Sequence, residues 1–362
     1  MKIAHLIPTF SAFGGGARVA YMLATEQKDA GNDVTIFALE ADKRLSPNVS
    51  VEIMGMPQNP TIQVIYRLMM PLNIYKALKW VPKLKDFDVI YSHYYPMNWL
   101  AYLAKRIYGV QFVYYDYGVN YPEQYPSFVE RTYLRIFIAL QNWTIRRADS
   151  AISISCYLQQ RLKEETGLAS EVIYPKSDAT RFHEGLDGSW VRDKYNLGSN
   201  PLILYVGRIV PYKGLHLLIE AFNMVKLQFS SVRLVIVGKH IFPAYSRKLA
   251  EMADDSVIFA GYVSDEEVPY YYAACDIYAT GTMWEGFNLP LVEAQACGKP
   301  VVAFNIGPHP EVAKDGETGF LVPPEDTNAL AEAITRLLEG NRLRQEMGKN
   351  ACKEVRRKGF IQ

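Results

Sequence analysis

Short apolar runs rich in β-branched and aromatic residues alternate with longer helix-like stretches along this chain, and the alternation stops once and restarts. The first series runs through Ile3–Ile7, Val34–Leu39, Val49–Met54, Val89–Ser92, Phe112–Tyr115, Ala151–Ser155 and Val172–Tyr174. After it comes a polar stretch, Pro175 to Asn200, carrying Gly185, Gly188 and Gly198. The second series runs through Leu202–Val206, Leu234–Val237, Val257–Phe259, Ile277–Ala279, Val301–Phe304 and Phe320–Val322. Strands alternating with helices make βαβ units and a parallel sheet. The interruption predicts two α/β domains, 1–175 and 201–362, joined by a linker over 176–200, a division that also suits 362 residues. A single eight-unit barrel would need a more even repeat. Doubly wound sheets bind ligands beyond the carboxyl ends of their strands, so the informative residues are expected in loops just after strands.

Composition narrows the function. Lys and Arg number 39 against 38 Asp and Glu, a net charge of +1, so no global field is available to hold nucleic acid, and any anion site must be local. With 49% hydrophobic and 21% charged residues the chain can bury a sizeable core. Cys156, Cys275, Cys297 and Cys352 form no CxxC pair, which argues against zinc and a disulfide framework and for buried free thiols. No stretch approaches ~20 uninterrupted apolar residues, and the N-terminal run before Pro8 is too short for a signal-peptide core, so a cytoplasmic chain is expected. Asp86-x-Asp88 imitates a metal motif but precedes a strand, and no metal is assigned.

Three loops carry chemistry. Gly14-Gly15-Gly16 follows the first strand and leads into an apolar helix pattern; it is either a tight turn or a place where backbone N–H groups approach a phosphate. It is not a dinucleotide fingerprint, because Val19 stands where GxGxxG needs glycine. Gly207-Arg208 to Lys213-Gly214 ends the first strand of the second domain. Its two cations are either solvated surface charges or a fork and a point charge aimed at one diphosphate. Gly281-Thr282-Met283-Trp284-Glu285-Gly286-Phe287-Asn288-Leu289-Pro290 is the most informative: Pro290 suits a helix start and Gly298 its end, so Glu285 lies in the loop and Glu293 in the helix. Gly286, Phe287, Asn288 and Leu289 offer backbone N–H groups at the helix mouth.

Together with Gly316-Glu317-Thr318-Gly319-Phe320-Leu321-Val322, these loops resemble the large retaining glycosyltransferase family 4, glycosyl transferases group 1, of the two-domain GT-B architecture. The resemblance runs through nearly the whole chain and is looser between residues 55 and 150. It implies two Rossmann-like domains facing an interdomain cleft, an acceptor-binding N-terminal domain and a C-terminal domain that binds a nucleotide sugar. Carried over, Arg208 and Lys213 would neutralise the donor diphosphate, Glu285 would face the transferred sugar, and Glu293 would hold the ribose hydroxyls. Gly14 and Gly15 join the donor-binding set, and Val263, in Gly261-Tyr262-Val263-Ser264, falls in a loop that is either a plain turn or the reader of the base. His93 and Asp116, at first-domain strand ends, are the remaining catalytic candidates; the family often has histidine near both places, and Asp116-Tyr117 departs from that. The chain stops at Gln362, about where the family adds a last helix crossing back, so that closure is expected to be absent.

The implied function is retaining transfer of a sugar from a nucleoside diphosphate to an acceptor hydroxyl, without a cofactor or metal. The alternatives weighed are a nucleotide-sugar epimerase or phosphorylase-like enzyme of the same architecture, an NAD-dependent oxidoreductase and a non-enzymatic sugar-binding module. From Ile53 to Leu84 there is no Asp or Glu, while Arg67, Lys76, Lys79 and Lys83 interleave with apolar residues. Residues 61–85 are therefore either an amphipathic helix packed on the sheet or a peripheral contact with an anionic membrane that presents a lipid-linked acceptor.

Overall fold

The computed structural model describes residues 1–10, 15–41, 48–125 and 127–362. They form two compact units, Met1–Tyr174 and Pro175–Gln362. In the first, the strands are β1 (Lys2–Phe10), β2 (Asp33–Ala41), β3 (Ser50–Ile53), β4 (Val89–Ser92), β5 (Gln111–Asp116), β6 (Ser150–Ser153) and β7 (Glu171–Val172). They pair in parallel in the order β3-β2-β1-β4-β5-β6-β7. The order reverses between β1 and β4, which makes their carboxyl ends the ligand-facing crevice of this unit.

The second unit repeats the plan with β8 (Leu202–Val206), β9 (Arg233–Val237), β10 (Val257–Gly261), β11 (Ile277–Thr280), β12 (Val301–Phe304) and β13 (Gly319–Val322), again all parallel, ordered β10-β9-β8-β11-β12-β13. Its switch point falls between β8 and β11. The loops after those two strands are the Arg208–Lys213 and Glu285 loops, so the topology brings together what the sequence separates by about seventy residues.

Apolar spacing explains the layers. Leu215, Leu218, Ile219, Phe222 and Val225 fall on one face of the helix Leu215–Gln228 and are buried in one cluster with Ile203, Leu234 and Ile236 of the sheet. Asp326 caps the helix Thr327–Glu339 by accepting from the Ala329 N–H at 2.9 Å.

Three expectations differ from what is observed. Residues 176–200 pack into the second unit rather than spanning free: Phe182, Val191 and Leu197 are buried, the helix Ser189–Lys194 forms, and Arg192 pairs with Asp276 at 3.0 Å. Residues 61–85 are not one helix. Pro71 and Pro82 sit in short 3-10 turns that divide them into the helices Pro60–Leu68 and Ile74–Trp80, with Trp80, Val81 and Leu84 in the core. Cys156 is exposed, whereas Cys275, Cys297 and Cys352 are buried thiols.

Candidate functional site

The second-unit site begins with backbone. Gly214, at φ +60°, closes the 3-10 turn Pro211–Lys213, and a Cβ there would lie 1.8 Å from the Gly281 carbonyl oxygen. Only glycine lets the two loops touch. Two bonds sew them further, from the Met283 N–H to the Tyr212 carbonyl at 2.9 Å and from the Thr282 hydroxyl to the same carbonyl at 3.4 Å, while that hydroxyl also reaches the Trp284 carbonyl of its own loop at 3.1 Å. A Gly214→Ala chain is expected to lose at least about 2 kcal/mol, from the left-handed backbone and the clash together. Gly316→Ala, also at positive φ but facing open space, should lose less. Thermal melts compare them, and equal losses would show that the loop contact contributes nothing.

On this frame Lys213 Nζ lies 2.5 Å from Glu285 Oε1, with the two side chains only 15% and 10% exposed. The cation expected at the diphosphate and the carboxylate expected at the sugar are thus one ion pair. Arg208 is exposed and donates to the Tyr212 hydroxyl at 2.6 Å. The Trp284 indole N–H is buried with no partner among the described residues, a donor left over in the same loop that sequence reading did not single out.

The helix Leu289–Ala296 starts where expected, after Asn288 in the left-handed region at φ +77°. His309 holds Asn288 there. Its Nδ1–H donates to the Phe304 carbonyl at 2.6 Å, which leaves Nε2 to accept from the Asn288 amide at 2.9 Å. Burial lowers the His309 pKa and favours this neutral form. Glu293 is buried and accepts from the Tyr272 hydroxyl at 2.9 Å. Phe287 turns its ring into the core against Phe360, so only its backbone is available to a ligand; Gly286 is buried beside it, and Leu289 is half-buried. Val263 is buried two residues beyond Gly261, whose φ of +71° turns the chain after β10.

In the first unit Gly14 lies outside the described residues. Gly15 opens the helix Gly15–Asp29 with nothing within 4 Å of a Cβ; the crowded position is Gly16, whose Cβ would meet the Tyr94 hydroxyl at 2.7 Å. His93 is fully buried, with Nε2 2.9 Å from His5 and Nδ1 2.9 Å from the Tyr117 hydroxyl. Asp116 is buried and accepts from the Gly118 N–H at 2.9 Å, the Tyr114 hydroxyl at 3.3 Å and the Ser153 hydroxyl at 3.4 Å. Burial pushes its carboxyl up to about 6. Asp88 spends a carboxylate oxygen on the Lys2 N–H at 2.7 Å.

The family models for "Glycosyltransferase Family 4" and "Glycosyl transferases group 1" match residues 13–181 and 191–354, one on each unit. The chain belongs to the family 4, group 1 glycosyltransferases. A GDP-mannose-dependent alpha-(1-6)-phosphatidylinositol monomannoside mannosyltransferase of Mycolicibacterium smegmatis is 33% identical over 56% of this chain and 56% of its own length. The chain spans about half the length of the curated mannosyltransferases it matches. The crystal structure of Anabaena Alr3699/HepE in complex with UDP and glucose superposes with a TM-score of 0.82 at 25% identity, over 99% of this chain and 95% of that one. Sucrose-phosphate synthase from Thermosynechococcus elongatus shares the fold, with a TM-score of 0.82 at 23% identity over 98% and 94% of the two chains. These are GT-B structures, and the epimerase or phosphorylase-like alternative finds no support among them.

Proposed function

We propose that this family member is a retaining hexosyltransferase that moves a sugar from a nucleoside diphosphate to an acceptor hydroxyl on a lipid-linked or membrane-proximal glycan. The observation that carries the proposal is the Lys213–Glu285 pair at the switch point of the second sheet. Breaking the sugar–phosphate bond builds negative charge on the diphosphate and positive charge on the anomeric carbon, and this pair offers one group for each. Arg208 adds a planar fork for the phosphates, and the Trp284 N–H an unused donor. Glu285 acts as a sugar-facing carboxylate rather than a nucleophile, with the leaving phosphate assisting a front-face displacement. These cations serve the leaving group without a metal. In the second unit the donor set further comprises Val263, Gly286, Phe287, Asn288, Leu289 and Glu293; Gly14 and Gly15 are assigned to donor binding on the family resemblance alone. His93 and Asp116, whose polar atoms are engaged by the protein, shape the acceptor side. The named complex of Alr3699/HepE with UDP and glucose supports this class of donor. A screen of UDP- and GDP-sugars in EDTA should find one that stabilises the chain by ~2.7 kcal/mol at 100 times Kd and is converted only with acceptor. No stabilisation by any of them would refute the proposal.

Glu293→Gln keeps the shape but removes the charge on the expected ribose partner, so nucleotide Kd should rise about tenfold, the order of one charged hydrogen bond. Titration with UDP or GDP reads this directly; an unchanged Kd removes Glu293 from the ribose role.

We place the chain in the cytoplasm with a peripheral membrane contact. Among the described residues no helix is long and apolar enough to cross a membrane. Leu72, Tyr75 and Leu78 are 70%, 74% and 73% exposed, and Ile62, Ile65, Met69 and Ile74 are exposed beside them. The basic set is smaller than expected: Lys76 is buried, its ammonium donating to the Met54 carbonyl at 2.6 Å and to that of Gly55, and Lys83 pairs with Glu52 at 2.6 Å. Apolar burial therefore supplies most of the attraction, with Lys79 adding charge. Leu72→Glu with Leu78→Glu should abolish cosedimentation with vesicles containing phosphatidylglycerol. A wild type that fails to sediment at low salt leaves a soluble acceptor.

A further inference from the structure

A chain of hydrogen bonds runs through the first unit beneath its switch point. The Tyr117 hydroxyl, just past β5, lies 2.9 Å from His93 Nδ1; His93 Nε2, just past β4, lies 2.9 Å from Nδ1 of His5 in β1; and His5 Nε2 lies 2.7 Å from the Gln27 carbonyl oxygen on the helix Gly15–Asp29. The two imidazoles stack at 5.2 Å, and His5 stacks on Tyr91 at 5.1 Å. Each ring nitrogen has one partner, and two neutral imidazoles sharing a bond must run in one direction. A carbonyl oxygen only accepts, so with Gln27 Oε1 at one end His5 carries its proton on Nε2, His93 on Nε2, and Tyr117 donates at the far end.

We propose that Gln27 is a positioning residue: through His5 and His93 it sets the direction of this chain and so fixes the buried Tyr117 and, packed on it, the half-buried Tyr94 that meets the acceptor. Tyr117 stacks on Tyr94 at 5.1 Å, and the Tyr94 hydroxyl lies against Gly16 in the first turn of the helix Gly15–Asp29. One polarity of the chain therefore orients Tyr117, Tyr117 orients Tyr94, and Tyr94 stands at the ligand-facing end of the sheet. Burial supports neutrality at every link, lowering His5 to about 4 and His93 well below its usual value, and keeping the proton on Tyr117. The acceptor role rests on the proposed function; the direction of the chain does not.

The test therefore has two readouts on the full chain. Nitrogen-15 spectra of histidine-labelled protein at pH 8 should show both His5 and His93 as Nε2–H tautomers, and Nδ1–H on both overturns the proposal. Gln27→Leu should scramble the two tautomers and raise acceptor KM at least tenfold with kcat within threefold, while Gln27→Glu, which keeps an accepting oxygen, should restore both. Tyr117→Phe, which removes the terminal donor, should raise KM in the same direction if Gln27→Leu folds poorly. Unchanged KM in Gln27→Leu and Tyr117→Phe overturns the positioning role. A wild type with the expected tautomers but no transfer from any nucleotide sugar would sink the proposed function alone.

Discussion

Lys213→Ala should cut transfer by two to three orders of magnitude, because it removes leaving-group neutralisation, an effect that commonly costs ~2.7–4 kcal/mol of barrier. It does a second thing as well: it strands Glu285, whose partner 2.5 Å away is gone. An uncompensated, largely buried carboxylate disturbs the loop and repels the incoming diphosphate. The pair is thus expected to be non-additive. Glu285→Gln alone should reduce turnover while sparing nucleotide affinity, and the double variant Lys213→Ala, Glu285→Gln should be better than the product of the single losses by a coupling of about 1–3 kcal/mol. Steady-state kinetics on the four chains measures it. Activity of Lys213→Ala within threefold of wild type, or strict additivity, would show that the two side chains do not share a role.

Stability should fall as pH drops from 7 to 5. His5, His93 and His309 are fully buried and neutral, and burial lowers the pKa of each. In the unfolded chain each would titrate near 6.5, so between that value and the depressed folded one the unfolded state binds more protons and lowering pH favours it. For His5, held at about 4, the window spans about 2.5 pH units and is worth ~3 kcal/mol in full. Asp116 works the other way: its folded pKa of about 6 exceeds the unfolded ~3.9, so the fold gains a proton there as pH falls and offsets one histidine. Glu354, pulled down to about 2 chiefly by Arg357, titrates below this window. Urea midpoints at pH 7.5 and 5 check the sign, and a higher midpoint at pH 5 would mean that these imidazoles are charged or solvated in the fold.

The repeat of apolar runs made the two sheets legible, since buried parallel strands are written as continuous β-branched and aromatic segments. The Glu285-to-Glu293 spacing, with Pro290 at the helix start, also read true, because caps and helix starts are local chemistry. What the sequence hid was non-local. Lys76 looked like a surface cation until its ammonium met two carbonyls after β3. His93 looked like a lone histidine because its partner His5 is 88 residues away. Asn288 draws its geometry from His309, and residues 176–200 read as polar because Phe182, Val191 and Leu197 are too few and too scattered to form a run. The pairing of Lys213 with Glu285 was likewise invisible: their loops are sequence-distant and become neighbours only through the strand order.

The central claim is that this chain breaks and remakes a glycosidic bond on one face of the sugar. The measurement that tests it most directly is the anomeric configuration of the first-formed product, read by proton NMR coupling during turnover of an α-linked nucleoside diphosphate sugar with acceptor. Front-face displacement at the Lys213–Glu285 site predicts an α-linked product, with nucleoside diphosphate released one for one. A β-linked product, or diphosphate released at the same rate without acceptor, would contradict the account.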